Sequence, residues 1–219
     1  MKTTLMQLRT QRFQRRSAGF SLLELLVVIA IIAILAGMLM VGFGGAGRQK
    51  QLAAIKSSKE EIITAVEEYH AKRGFYPPTP TDAAKNPILD KPTLYYELVG
   101  TRYDDKDQKY HSLDDQVSVS PGELKTLFGL PVAFSNSGKQ PGDSQNFYLN
   151  LKKNRRSEAQ ISGAPSGLVY EVLGLPIRSG GSENLIWRYN SYNPTNNPGH
   201  FDLWVEWTQG NKTEIIGNW

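Results

Sequence analysis

Apolar residues follow three rhythms along this chain. From Phe20 to Phe43 they run almost without interruption, in the stretch SAGFSLLELLVVIAIIAILAGM (17–38) and its continuation, and Leu25 through Gly47 carries no charge over 23 positions. Roughly 20 apolar residues of helix cross a hydrocarbon core of about 30 Å, so this run predicts one membrane span. Beyond Gly42, Gly44, Gly45 and Gly47 the apolar positions thin to Leu52, Ile55, Ile62, Val66 and Tyr69. These spacings of three, four and seven predict an amphipathic helix with one buried stripe. Gly74 and Pro77-Pro78 supply its stop. Residues 20–73 thus read as one helix of roughly 80 Å. Its transmembrane half is 20–43, its amphipathic half is 44–73, and a globular domain follows at 74–219. Each glycine between the halves costs about 1 kcal/mol in a helix interior. The cluster is either a weak point or a small-residue surface for close helix packing.

The third rhythm is alternation. Phe201, Leu203, Val205 and Trp207 share one face of a strand and Asp202, Trp204 and Glu206 the other, the period-two signature of a half-buried antiparallel strand. A turn at Gln209-Gly210-Asn211 returns the chain through Ile215 and Ile216 to Trp219, which is expected to anchor by packing. Further strands are predicted at 146–151, 167–172 and 184–189. A short helix is expected over 90–98, and Ser120-Pro121-Gly122-Glu123 is a capping-box pattern opening a helix to about Phe128. Between 133 and 146 the polar and turn-forming residues predict a loop. One sheet face would pack on the stripe of the long helix, giving an α+β fold.

Charge changes the picture at one end only. The net charge of +4 arises in residues 1–19, where Lys2, Arg9, Arg12, Arg15 and Arg16 stand without an acid; the rest holds 20 basic and 21 acidic residues. No basic face for nucleic acid is expected on the folded domain. The basic leader places the N-terminus in the cytoplasm and the large domain outside. A secretory signal peptide ending near Gly47 is the competing reading, but its apolar segment would normally run only about 7–15 residues. The chain has no cysteine, hence no disulfide, thiolate metal site or cysteine nucleophile.

Glu24 is the anomaly, a carboxylate near the start of an apolar run, where acids are rare and mark function. The sequence Gly19-Phe20-Ser21-Leu22-Leu23-Glu24-Leu25 after a basic leader resembles the prepilin peptidase site of the type IV pilin superfamily, which includes the pseudopilins of type II secretion. The resemblance implies cleavage after Gly19 by prepilin peptidase, N-methylation of Phe20, and neutralisation of a neighbouring subunit's new α-amine by Glu24. The other reading of Glu24 is a snorkelling or protonated acid. Two weaker islands, Arg73–Thr79 and Asn197–Trp204 with Ile216–Trp219, look like the helix exit and final strands of the major pseudopilins. The islands and the N-terminus cover about a third of the chain.

There are departures from that pattern. Val41 stands where the family's helix proline is found. Major pseudopilins carry an acidic calcium loop between their last strands, whereas Trp207 to Gly217 contains only Glu214 as an acid. Calcium takes 6–8 oxygen ligands, so the site is disfavoured; Asp202 and Glu206 are further weak candidates, or lie on a solvated sheet face. No cofactor is expected. His70, His111 and His200 lack metal-ligand spacing, the acids at 104, 105, 107, 114 and 115 read as solvated pairs, and no nucleophile or phosphate motif occurs. An enzyme is not expected. The resemblance implies a structural subunit of a secretion pseudopilus in the inner membrane, partnered by prepilin peptidase, by other pilin or pseudopilin subunits as a homo- or hetero-polymer, and by an inner-membrane assembly platform. The alternatives are a surface type IV pilus subunit and a non-assembling anchored binding domain.

Overall fold

The structure is a computed structural model that describes residues 21–149, 151–161, 164 and 169–219, except the side chains of 38–46. The chain divides into two units, Met1–Gln49 and Lys50–Trp219. One helix, α1 (Leu22–Arg73), belongs to both and is unbroken through the glycine cluster. Its end follows the expected chemistry. His70, Lys72 and Arg73 lie in the last turn, where cations complement the helix dipole, and Gly74 at φ +80° turns its N–H back to the His70 carbonyl at 2.8 Å.

In the second unit, Ile55, Ile62, Val66 and Tyr69 are fully buried and Leu52 half-buried, so the stripe read from the sequence is the face that packs. After the helix come α2 (Leu94–Val99), β1 (Thr101–Asp104), β2 (Lys109–Ser112), β3 (Ser118–Val119), α3 (Pro121–Thr126), β4 (Ser137–Gly138), a 3-10 turn (Lys153–Arg155), β5 (Arg156–Ala159), β6 (Tyr170–Leu175), β7 (Leu185–Ile186), β8 (Arg188–Asn190), β9 (Asp202–Gln209) and β10 (Lys212–Gly217). The architecture is α+β, as expected, but the strands form three small sheets ordered β3-β2-β1-β4, β5-β6-β7 and β10-β9-β8. All pairings are antiparallel except β1 with β4. Phe201, just before β9, and Leu203, Val205 and Trp207 on its inner face enter the same core as the helix stripe.

Several expectations are corrected. The segment 146–151 is a loop wherever it is described. The backbone there pairs with no neighbouring strand: the Phe147 N–H bonds the Leu98 carbonyl, the Tyr148 N–H bonds Asn146 Oδ1, and the Tyr148 hydroxyl donates to Glu61. The strand expected at 167–172 begins at Tyr170 and runs to Leu175. The strand expected at 184–189 breaks at Trp187: Ile186 pairs with Gly174 in one sheet, Arg188 with Trp204 in another, and the Trp187 indole N–H donates to Ser58 Oγ at 3.0 Å. The helix expected from 90 starts at Leu94. Trp219 is half exposed, its ring lying over Gly217, where a Cβ would stand 2.6 Å from it.

The capping box expected at Ser120–Glu123 opens α3, which ends at Thr126, two residues before the expected Phe128. Ser120 Oγ accepts the Glu123 N–H, and the Glu123 carboxylate accepts the Ser120 N–H at 2.7 Å, with Pro121 opening the helix.

Candidate functional site

The same reciprocal chemistry starts α1. The Glu24 N–H donates to Ser21 Oγ at 3.2 Å, and the Ser21 N–H donates to Glu24 Oε2 at 2.9 Å. Two of the helix's orphan donors are thereby satisfied at its first turn. Glu24 is exposed, and so is every residue from Ser21 to Gly37. Eleven large hydrophobic side chains between Leu22 and Leu35 face outward on all sides. An exposed apolar surface of that kind marks a contact with lipid or other protein, and a helix apolar all round is a buried or membrane helix. Among the described residues no helix is long and apolar enough to cross a membrane. The expected span, 20–43, includes Phe20 and the side chains of 38–43, which lie outside the described residues, as do Gly19 and the leader.

Residues 14–40 match the family model of the prokaryotic N-terminal methylation motif. The matched segment holds Gly19, Phe20, Ser21 and Glu24, so the chain carries a type IV pilin-like prepilin signal. No curated protein and no solved structure matches the chain.

The three acids considered for a metal are not brought together. Glu206 is exposed on the outer face of β9, 3.7 Å from Arg188. Glu214 pairs in register with Trp207, on the opposite face. Asp202 does not lie on a solvated face: it is buried, and its carboxylate accepts the backbone N–H groups of Thr195, Asn196 and Asn197 at 2.9–3.0 Å and the Asn196 amide at 3.1 Å. Asp202 therefore ties down the loop between β8 and β9 from within.

The histidines and paired acids are also placed more specifically than their spacing suggested. Ligand atoms of Asp104, Asp107 and His111 lie within 4.8 Å of one another at the β1–β2 turn. Asp107 holds His111 Nε2 at 2.7 Å, and its carboxyl is held below the usual range despite some desolvation. Arg102 and Lys109 stand in register with His111 and Asp104, so this turn is already balanced by cations. His70 and His200 meet around Tyr76 at the far end of α1. The His70 ring stacks on Tyr76 at 4.2 Å, and the Tyr76 hydroxyl lies 2.9 Å from His200 Nδ1.

Two buried polar centres fasten the enlarged middle of the chain and had no sequence motif. Arg155, nearly buried, makes a two-pronged bond to Glu61 at 2.7 and 2.9 Å and reaches Ser57 and the Ala54 carbonyl. The guanidinium holds the Glu61 carboxyl down. Glu97, 1% exposed, accepts the N–H groups of Ser135 and Asn136 and the Tyr69 hydroxyl. Burial pushes its carboxyl up to about 7, against those donors and the charge of Arg73. Beside it Gly100 sits at φ +80°, where a Cβ would stand 2.9 Å from the Gln145 carbonyl oxygen.

Proposed function

We propose that this chain is a type IV pilin-like structural subunit, cleaved by prepilin peptidase between Gly19 and Phe20, N-methylated on Phe20, and assembled into a pseudopilus of the type II secretion kind. The observation that carries the reading is the methylation motif at 14–40, overlapping a helix whose first turn presents Glu24 and whose second half packs on a globular α+β unit. In this reading 1–19 is the leader, 20–43 the span, 44–73 the amphipathic half, and 74–219 the domain outside the inner membrane, with the N-terminus in the cytoplasm. Assembly partners are further pilin-like subunits and an inner-membrane platform. The cysteine-free C-terminal region favours a secretion pseudopilus over a surface pilus, whose subunits often close that region with a disulfide.

Processing is the direct test. The intact mass of the membrane-extracted chain should correspond to a start at methylated Phe20. Retention of residues 1–19, or a start near Gly47, would overturn the proposal.

A further inference from the structure

An open cavity of about 460 Å³ lies between the end of α1 and the loop joining β8 to β9. Its helix side presents His70, Phe75 and Tyr76, and its loop side presents Asn193, Pro194 and His200. We propose that this cavity is a binding site for a neutral saccharide.

The lining decides the ligand class. No Asp, Glu, Lys or Arg lines it, and the Glu67 carboxylate beside it is engaged with the Tyr76 hydroxyl at 3.4 Å, so a phosphate or carboxylate ligand finds no cation in the lining. What it does offer is flat apolar surface beside groups that both donate and accept hydrogen bonds. Phe75 is 46% exposed, exposed Pro198 also lines the cavity, and buried Pro194 lies at its edge. His200 spends Nδ1 on the Tyr76 hydroxyl and keeps Nε2 for a ligand, while His70 rests its ring face on Tyr76, leaving its edge nitrogens for bonding. The Asn193 amide has no hydrogen-bond partner among the described residues. A neutral imidazole and a carboxamide each pair a donor with an acceptor, as a sugar hydroxyl does. A pyranose ring combines apolar C–H faces with hydroxyls around its edge, which is the complement of this lining.

The site is also held in shape before any ligand arrives. Asp202 fixes Thr195, Asn196 and Asn197, and Ser191 bonds the Pro77 carbonyl and accepts no freedom at its N–H, which donates to Thr79. Asn193 at φ +52° and Gly199 at φ +84° set the loop's two bends. Such preorganisation lowers the ordering cost of binding, and the volume lies within the ordinary range of about 300–1,000 Å³ for ligand pockets. The inference does not depend on filament formation, and its test uses unassembled protein.

The chain contains three histidines, and only His70 and His200 line the cavity; His111, on β2, is an internal control. The full chain, isotope-labelled and held in a detergent without a sugar headgroup at about pH 8, would be titrated with cellotetraose, maltotetraose and chitotetraose while the three imidazole signals are followed by NMR. At least one of these oligosaccharides should move His70 and His200 saturably and leave His111 in place. No shift from any of them up to about 20 mM, well above the millimolar range where weak sites fill, or an equal shift of His111, would overturn the proposal. The Asn193→Gly variant keeps the bend and removes the amide. It should bind at least tenfold more weakly, and unchanged affinity would also overturn the assignment. Failure here with a correctly processed chain would leave the filament reading untouched; binding by an unprocessed chain would do the reverse.

Discussion

Two glutamates show how differently one side chain can be employed. Glu24 stands exposed at the first turn of α1, its carboxylate accepting the Ser21 N–H among the described residues. In the proposed filament, with cleavage before Phe20, that carboxylate would meet the new α-amine of a neighbouring subunit in a core of low dielectric, where a paired charge can fix the register. Glu24→Gln keeps the shape and part of the cap but removes the charge. The expected result is a processed, membrane-inserted monomer that forms no filament, scored by electron microscopy of sheared material and by secretion; normal filaments from the variant would remove Glu24 from the mechanism. Glu97 is sealed among Tyr69, Ser135 and Asn136, with its carboxyl pushed up to about 7 from 4.5. A folded-state value above the unfolded one means that the folded chain holds the proton longer. Stability from this group is full below about pH 4.5 and is lost as pH rises through about 7, by an amount on the order of 3 kcal/mol. The melting temperature of the wild type should therefore fall more between pH 5 and pH 8 than that of Glu97→Gln; parallel profiles would show that Glu97 stays ionised throughout.

At the scale of elements, the β8–β9 loop is closed by its own carboxylate. A site of this kind can dispense with an ion, because Asp202 already supplies the negative charge that four N–H bonds need. Calcium or a chelator should leave the melting temperature unchanged. Asp202→Asn, which sets an amide against some of those donors, should lower stability by about 2–4 kcal/mol, roughly 5–10 °C for a unit of this size. A calcium-dependent rise in the wild type would point to a metal in this region after all. Elements with a local signature were legible from the sequence: the stripe from Ile55 to Tyr69, the Ser120–Glu123 box and the alternation of β9 each depend on neighbours within one turn or one strand. The strand expected at 184–189 was legible only in part, because the segment is shared between two sheets: Ile186 pairs with Gly174 and the Trp187 N–H bonds the Leu173 carbonyl in one, Arg188 pairs with Trp204 in the other, and the Trp187 indole reaches Ser58, 129 positions earlier. The Tyr148 hydroxyl likewise reaches back to Glu61. The Ser21–Glu24 box has the same Ser-x-x-Glu spacing as Ser120–Glu123 and is equally local.

For the whole molecule, the core of the second unit is assembled from α1 and from segments far along the chain. The polar residues beside the helix stripe find their partners late: Glu61 in Arg155, Ser58 in Trp187, and Lys59 in the Gly217 carbonyl, at separations of 94, 129 and 158 positions. Composition and periodicity carry no record of such pairs, which is why the single sheet expected from the strand pattern resolves into three. The separations also set a timetable. A chain made from its N-terminus exposes the helix stripe first and cannot cover it until β9 and β10 have emerged, and contacts this distant in sequence close slowly. For that interval the newborn subunit carries two sticky surfaces on one helix, one meant for its own later strands and one from Leu22 to Leu35. In the proposed reading, insertion of the Leu22–Leu35 surface into the membrane would take one of the two out of reach while the other waits for its strands.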